Sequence, residues 1–359
     1  MNKRVIYGAL TISAMAVIIL DTKTVICGAQ EGIQLCIETI IPALFPFIIL
    51  SGIISSSLLG QSINLIRPIG KICKIPKGAE SILLLGFLGG YPVGAQIITQ
   101  AYLSGSISKI TAKRMLGFCN NAGPAFLFGM FSVVFSRPII SWVLWGIHIL
   151  SALTVGFLLP GETESICNIE QTEPISPQTA LKNAIKTISL ICGWVIVFRI
   201  IICFCDKWFL WRFPKNVQVI ISGILELSNG CIFLDEIPSE ALRFIYASGI
   251  IAFGGLCVGM QTKSVTQDLS NGFYFLGKFL QTLFSVLFST IAAPALFDKK
   301  STTLYWSICL GVLLAIGIAI YFIFRKKLWH LQKQCSIIPL KIGRKEQFYA
   351  VSKENTPIL

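Results

Sequence analysis

Two short stretches have the residue types that hold a small molecule at a break in a chain. They are Gly89-Gly90-Tyr91-Pro92-Val93-Gly94-Ala95-Gln96 and Gly254-Gly255-Leu256-Cys257-Val258-Gly259-Met260-Gln261, identical at five of eight positions with an offset of 165 residues. A Gly weakens a helix interior by about 1 kcal/mol relative to Ala. Pro92 also removes a backbone donor and clashes with the preceding turn. Helix ends at such a break present bare N–H groups and a positive dipole end, and Gln96 and Gln261 add side-chain donors and acceptors. Recognition of a polar or anionic ligand is the chemistry that results. Close helix packing uses the same small residues, but recurrence of the pattern at matching positions favours a cavity.

Two further sets stand in apolar surroundings. Asn120 and Asn121 precede Ala122-Gly123-Pro124, and two amides at membrane depth are costly unless satisfied. They either recap the turn that Pro124 frees or bind a ligand's carboxylate or hydroxyl. Glu226 lies in the run Val219 to Leu234, and an ionisable residue at such depth is a functional candidate and a candidate for H+ coupling. Arg199, toward one end of its span, is expected to snorkel. No pairing of a nucleophile with a base, no HExxH and no phosphate loop occurs, so enzymatic chemistry is not expected. With only His148 and His330, and twelve cysteines that include no CxxC, neither a metal site nor a cofactor is expected.

The elements that position these residues follow from the composition. Of 359 residues, 54% are hydrophobic and 13% charged, with mean hydropathy +0.75. A soluble domain carries roughly 25% charged residues, so the chain reads as an all-α polytopic membrane protein. Runs of about 20 apolar residues mark ten transmembrane helices: 4–20, 39–60, 80–103, 115–136, 138–160, 183–204, 217–234, 241–261, 272–294 and 303–324. Residues 24–38, apolar at helical spacing but with Glu31 and Glu38, read as an interfacial helix.

The net charge of +13 is concentrated in short segments: Lys3 and Arg4, then Arg67, Lys71, Lys74 and Lys77, then eight Lys/Arg from Arg325 onward. This is the positive-inside pattern, not a nucleic-acid site. It places 61–79, 205–216 and the tail in the cytoplasm and the acidic linker outside. The loop 104–114, with Lys109, Lys113 and Arg114, then falls on the wrong side unless 80–103 is a re-entrant hairpin. The organisation expected is 1–38 N-terminal and interfacial helices, 39–160 first repeat, 161–182 acidic external linker, 183–324 second repeat, and 325–359 basic cytoplasmic tail. An odd number of spans in each half makes the two repeats inverted, with broken or re-entrant helices.

The stretch GFLGGYPVGAQIITQAYLSGSIS…KRMLGFCNNAGPAFLFGMF (86–131), with LFPFIILSGIIS (44–55) and GGLCVGMQ (254–261), resembles the YlbJ-type sporulation integral membrane proteins. That group carries the nucleoside-recognition or Gate domain and is distantly similar to concentrative nucleoside transporters. The resemblance implies an elevator-like transporter of inverted repeats in the cell membrane, at the outer forespore membrane of a sporulating cell, with dipicolinate as cargo. The site residues it implies are Gly89, Gly90, Pro92, Gly94, Asn120, Asn121, Gly254, Gly255 and Gln261. Expected partners are a small-molecule anion, the lipid bilayer, a coupling H+ or Na+, and a second copy of the chain in a homo-oligomer. A nucleoside or nucleobase carrier and a non-transporting sporulation assembly protein remain alternatives.

Overall fold

The computed structural model describes residues 3–58, 61–161, 175–266, 269, 272–297, 311, 313–314 and 317–318. The expected span 303–324, the tail 325–359 and most of the linker 161–182 lie outside the described residues. The chain divides into two compact units, Met1–Leu314 and Ala315–Leu359, and the second contributes only helical residues 317 and 318 to the description. All regular structure among the described residues is helical.

The first unit runs α1 (Lys3–Leu20), α2 (Thr22–Leu35), α3 (Ile41–Leu58), α4 (Arg67–Ile72), α5 (Glu80–Leu88), α6 (Val93–Leu103), α7 (Lys109–Leu116) and α8 (Pro124–Val134). It continues with α9 (Pro138–Leu158), α10 (Pro177–Trp208), α11 (Lys215–Leu225), α12 (Leu227–Ile232), α13 (Glu240–Phe253), α14 (Gly255–Val265) and α15 (Gly272–Phe297). Five stretches among the described residues are long and apolar enough to cross a membrane: Thr22–Leu58, Pro138–Leu158, Pro177–Trp208, Glu240–Val265 and Phe273–Phe297. The chain is therefore a helical membrane protein, and its exposed Leu, Ile and Phe side chains suit a lipid surround.

The interfacial helix expected over 24–38 is instead the first part of a 37-residue helix that continues through a π turn, Cys36–Ile40, into α3. Its small residues explain the difference. A Cβ at Gly28 or Gly32 would lie 2.9 Å from the Cα of Ile200 or Ile196, so α2 packs backbone to backbone, antiparallel, on α10. Glu31 pairs with the largely buried Arg199 at 2.7 Å. The expectation that Arg199 snorkels is thus corrected.

The 80–103 stretch is a hairpin, not a span. A Cβ at Gly86 would sit 1.9 Å from the Cys119 carbonyl oxygen and one at Gly94 2.3 Å from the same atom. Gly86 and Gly94 therefore flank one point, whereas eight residues of straight helix would hold them about 12 Å apart. The 217–234 stretch folds back likewise. It breaks at Glu226, and a Cβ at Gly230 would lie 2.3 Å from Gly223 Cα. The 115–136 stretch is interrupted by irregular residues 117–123 between α7 and α8.

Side-chain contacts fix which segments share an end of the molecule. Arg114 donates to the carbonyls of Cys73 (2.5 Å), Lys74 (3.3 Å), Gly156 (2.7 Å) and Leu159 (3.3 Å). The basic segment 61–79, α7 and the C-terminal end of α9 therefore lie together. Arg67 pairs with buried Glu80 at 2.8 Å, so the first hairpin (α5–α6) opens toward this same end. At the opposite end, Arg137 meets Glu240 at 3.9 Å and Lys215 meets Glu236 at 2.7 Å, so the second hairpin (α11–α12) opens there.

Two topological expectations are corrected by these contacts. The linker 161–182 begins at Leu159, at the basic end. It rejoins the fold at Ile175, whose N–H donates to Ser56 at the end of α3. Its two described ends therefore lie on the same side as 61–79, which corrects the expectation that the chain crosses the membrane before the linker. Residues 205–216 lie at the other end, with Asp206 beside Lys215 and Glu236 around one surface cleft. The loop 104–114, which the ten-span reading put on the wrong side, joins the other basic segments because the first hairpin returns the chain to its side of entry.

Candidate functional site

The two hairpin tips and two helix breaks meet in the middle of the molecule. Gly90, at the first tip, has φ +75° and abuts Gly123 of the second break: a Cβ there would lie 3.1 Å from Gly123 N. Gly255, with φ +80°, abuts the second tip, 3.1 Å from Leu227 N by the same measure. Positive φ at close approach is a position for Gly. The two arrangements connect across the centre: Tyr91 Oη donates to Ile251 O at 3.5 Å, and Asn120 Nδ2 donates to Thr262 Oγ1 at 2.9 Å.

The repeated pattern GGxxVGxQ therefore does not mark equivalent elements. Gly89 and Gly90 form a hairpin tip, where the Tyr91–Pro92 peptide bond is cis and Pro92 precedes α6. Gly254 and Gly255 instead break the crossing stretch Glu240–Val265.

Between tips and breaks lies a cavity of about 30 Å³, room for one or two waters. Tyr91, Gly123, Glu226, Ser228 and Gln261 line it, with an apolar wall that includes Leu44, Phe126 and Val195. The Glu226 carboxylate caps α12, accepting Ser228 N–H at 3.0 Å and Asn229 N–H at 2.7 Å, with Asn229 Nδ2 at 2.7 Å. Asn229 Oδ1 in turn accepts from Arg199 at 3.0 Å, so a hydrogen-bonded chain runs from cavity to Glu31. The first turns of α8, which opens with Pro124, and of α14 reach the site with no side-chain cap.

Not every residue expected at the site faces it. Gly89 packs against Ser51 and Val93, and Gly94 packs against Cys119 and Asn120. Gln96 points away, to Thr187 on α10 at 2.8 Å. Asn120 accepts Ala95 N–H at 3.2 Å, tying the first hairpin to the break. Asn121 donates to Phe118 O at 2.6 Å and lies behind the cavity wall. The amides serve the turn and its neighbours.

Sequence reasoning missed the group behind that wall. Lys278 and Gln281 of α15 both donate to Asn121 Oδ1 at 3.0 Å, and Lys278 Nζ is 2.8 Å from Gln281 Oε1. His148 of α9 accepts Ala122 N–H on Nε2 at 3.2 Å and lies 3.5 Å from Gln281. A lysine in the second turn of 272–294 was the available signal, concealed by the apolar run around it.

Over 308 residues, 73% of this chain and 76% of the relative, the sequence is 21% identical to the sporulation integral membrane protein YlbJ of Bacillus subtilis (strain 168). The chain is similar to a sporulation integral membrane protein. No family model matches it, and no solved structure matches it. The similarity and the apolar helices agree on a membrane location.

Proposed function

We propose that the chain is a transporter of a small organic anion, with dipicolinate at the outer forespore membrane as the substrate to test first. One observation carries the reading: two hairpins open toward opposite ends, and their tips meet at a small cavity that holds Glu226, Ser228 and Gln261 against an apolar wall. Hairpin tips and broken helices at mid-membrane, where irregular backbone is tolerated only around a cavity, are features of secondary transporters.

In this reading each half is one hairpin plus one broken crossing helix, and the halves are inverted. The first pairs α5–α6 with α7–α8, and the second pairs α11–α12 with α13–α14. Crossings among the described residues then number about seven, counting α1, because the two hairpins do not cross. The cavity, at about 30 Å³, is too small for an aromatic dicarboxylate, so a tip must withdraw before the substrate can bind. Access alternates as one hairpin, then the other, withdraws its tip. Similarity to a sporulation protein supports the cellular setting, and the uncapped first turn of α14 supports an anion.

Purified protein in proteoliposomes tests this. Saturable dipicolinate uptake above empty vesicles, not shared by uridine, is the expected result. Correctly folded protein that moves neither compound would sink the proposal.

A further inference from the structure

We propose that Lys278 is the residue that takes the negative charge of the ligand, a small carboxylate, behind a movable Tyr91. This deepens the transport reading and rests on it for how the ligand arrives.

Lys278 is 0% exposed on α15 and lies outside the cavity lining. Its ammonium has two oxygen acceptors, Asn121 Oδ1 and Gln281 Oε1, and the Tyr91 ring with its centroid 5.0 Å away. Among the described residues no carboxylate pairs with it; their ion pairs involve Arg67, Arg137, Arg199, Lys207, Lys215 and Arg243. A charge buried without a counter-ion is costly, and neutral dipoles with an aromatic quadrupole offset only part of that cost. Such a residue at membrane depth is a functional site by default.

Its position supplies the rest. Tyr91 lines the cavity and also holds the ammonium against its ring. Asn121, which grips the ammonium, is followed directly by Ala122 and Gly123 of the cavity lining. One aromatic side chain at the first hairpin tip therefore separates a counter-ion-free cation from the place where a ligand would sit. Withdrawal of that tip would exchange the ring for a carboxylate oxygen, which neutralises the charge and couples binding to hairpin movement.

Calorimetry on purified full-length protein tests the assignment with dipicolinate and its neutral diamide as probes. Lys278→Gln is expected to weaken dipicolinate binding by at least about tenfold and diamide binding by less than about threefold. Asn121→Asp places a carboxylate beside Lys278 and is expected to give a similar loss for the dianion with an unchanged or higher Tm. It also decides the matter if Lys278→Gln does not fold. Wild-type dianion affinity in folded Lys278→Gln or Asn121→Asp overturns the assignment. Uptake that persists in Lys278→Gln with unchanged KM overturns it while transport stands. Lys278-dependent binding without uptake sinks transport and leaves the assignment. A wild-type protein that binds no dianion overturns both.

Discussion

Gly90 and Arg114 act in opposite ways at the scale of single residues. Gly90 has a left-handed backbone with Gly123 N close by, so Gly90→Ala introduces both strain and contact. The expected loss is about 1–3 kcal/mol, read as a lower Tm in detergent, with dipicolinate uptake falling more steeply than the folded fraction. Arg114 is 2% exposed and satisfies four carbonyls from two segments, 73–74 and 156–159. Arg114→Met leaves those acceptors without their donor, at about 1–3 kcal/mol for each buried group left unsatisfied. Its Tm should fall further than that of Gly90→Ala; an unchanged Tm would refute the clamp. The sequence made Gly90 legible, because a Gly pair before Tyr-Pro has few other uses in an apolar run. Arg114 read only as loop charge, since its acceptors are backbone carbonyls that leave no mark on the sequence.

Local pattern identifies an element's break but not its path. Residues 80–103 and 217–234 are each long and apolar enough to span a membrane, and in both the chain reverses instead. Length and hydropathy are the same for a kinked span and a hairpin, so only the contacts of Gly86 with Cys119 and of Gly230 with Gly223 separate them. Glu31 misled in the same way: a carboxylate on an apolar helix suggests the interface until its partner Arg199 is seen, 168 positions away. The α2–α10 contact has its own test. Gly32→Ile would force a branched side chain into a backbone contact of 2.9 Å. Overpacking of that kind costs about 1–3 kcal/mol, so Tm should drop, whereas Gly8→Ile, with open space around it, should leave Tm unchanged.

Orientation depends on which segments share an end, and the basic residues of 61–79 and 104–114 agree with the contacts once the hairpins are counted, whereas Lys207, Arg212 and Lys215 of 205–216 lie at the other end. Arg67, Lys71, Lys74, Lys77, Lys109, Lys113 and Arg114 gather at one end, while Asp206, Asp235, Glu236 and Glu240 gather with Arg137 and Lys215 at the other. Basic residues in short loops stay cytoplasmic, which assigns the first hairpin's open side to the cytoplasm and the second's to the outside. Lys71→Cys and Lys109→Cys, each measured against its parent background, should then react with a membrane-impermeant thiol reagent from the same side. Arg212→Cys should react only from the opposite side. The ten-span reading puts 71 and 109 on opposite sides and 71 and 212 on the same side, so the two arrangements give inverse patterns. Opposite-side labelling of 71 and 109 would mean that 80–103 crosses the bilayer, and the meeting of two tips at one cavity would lose its basis.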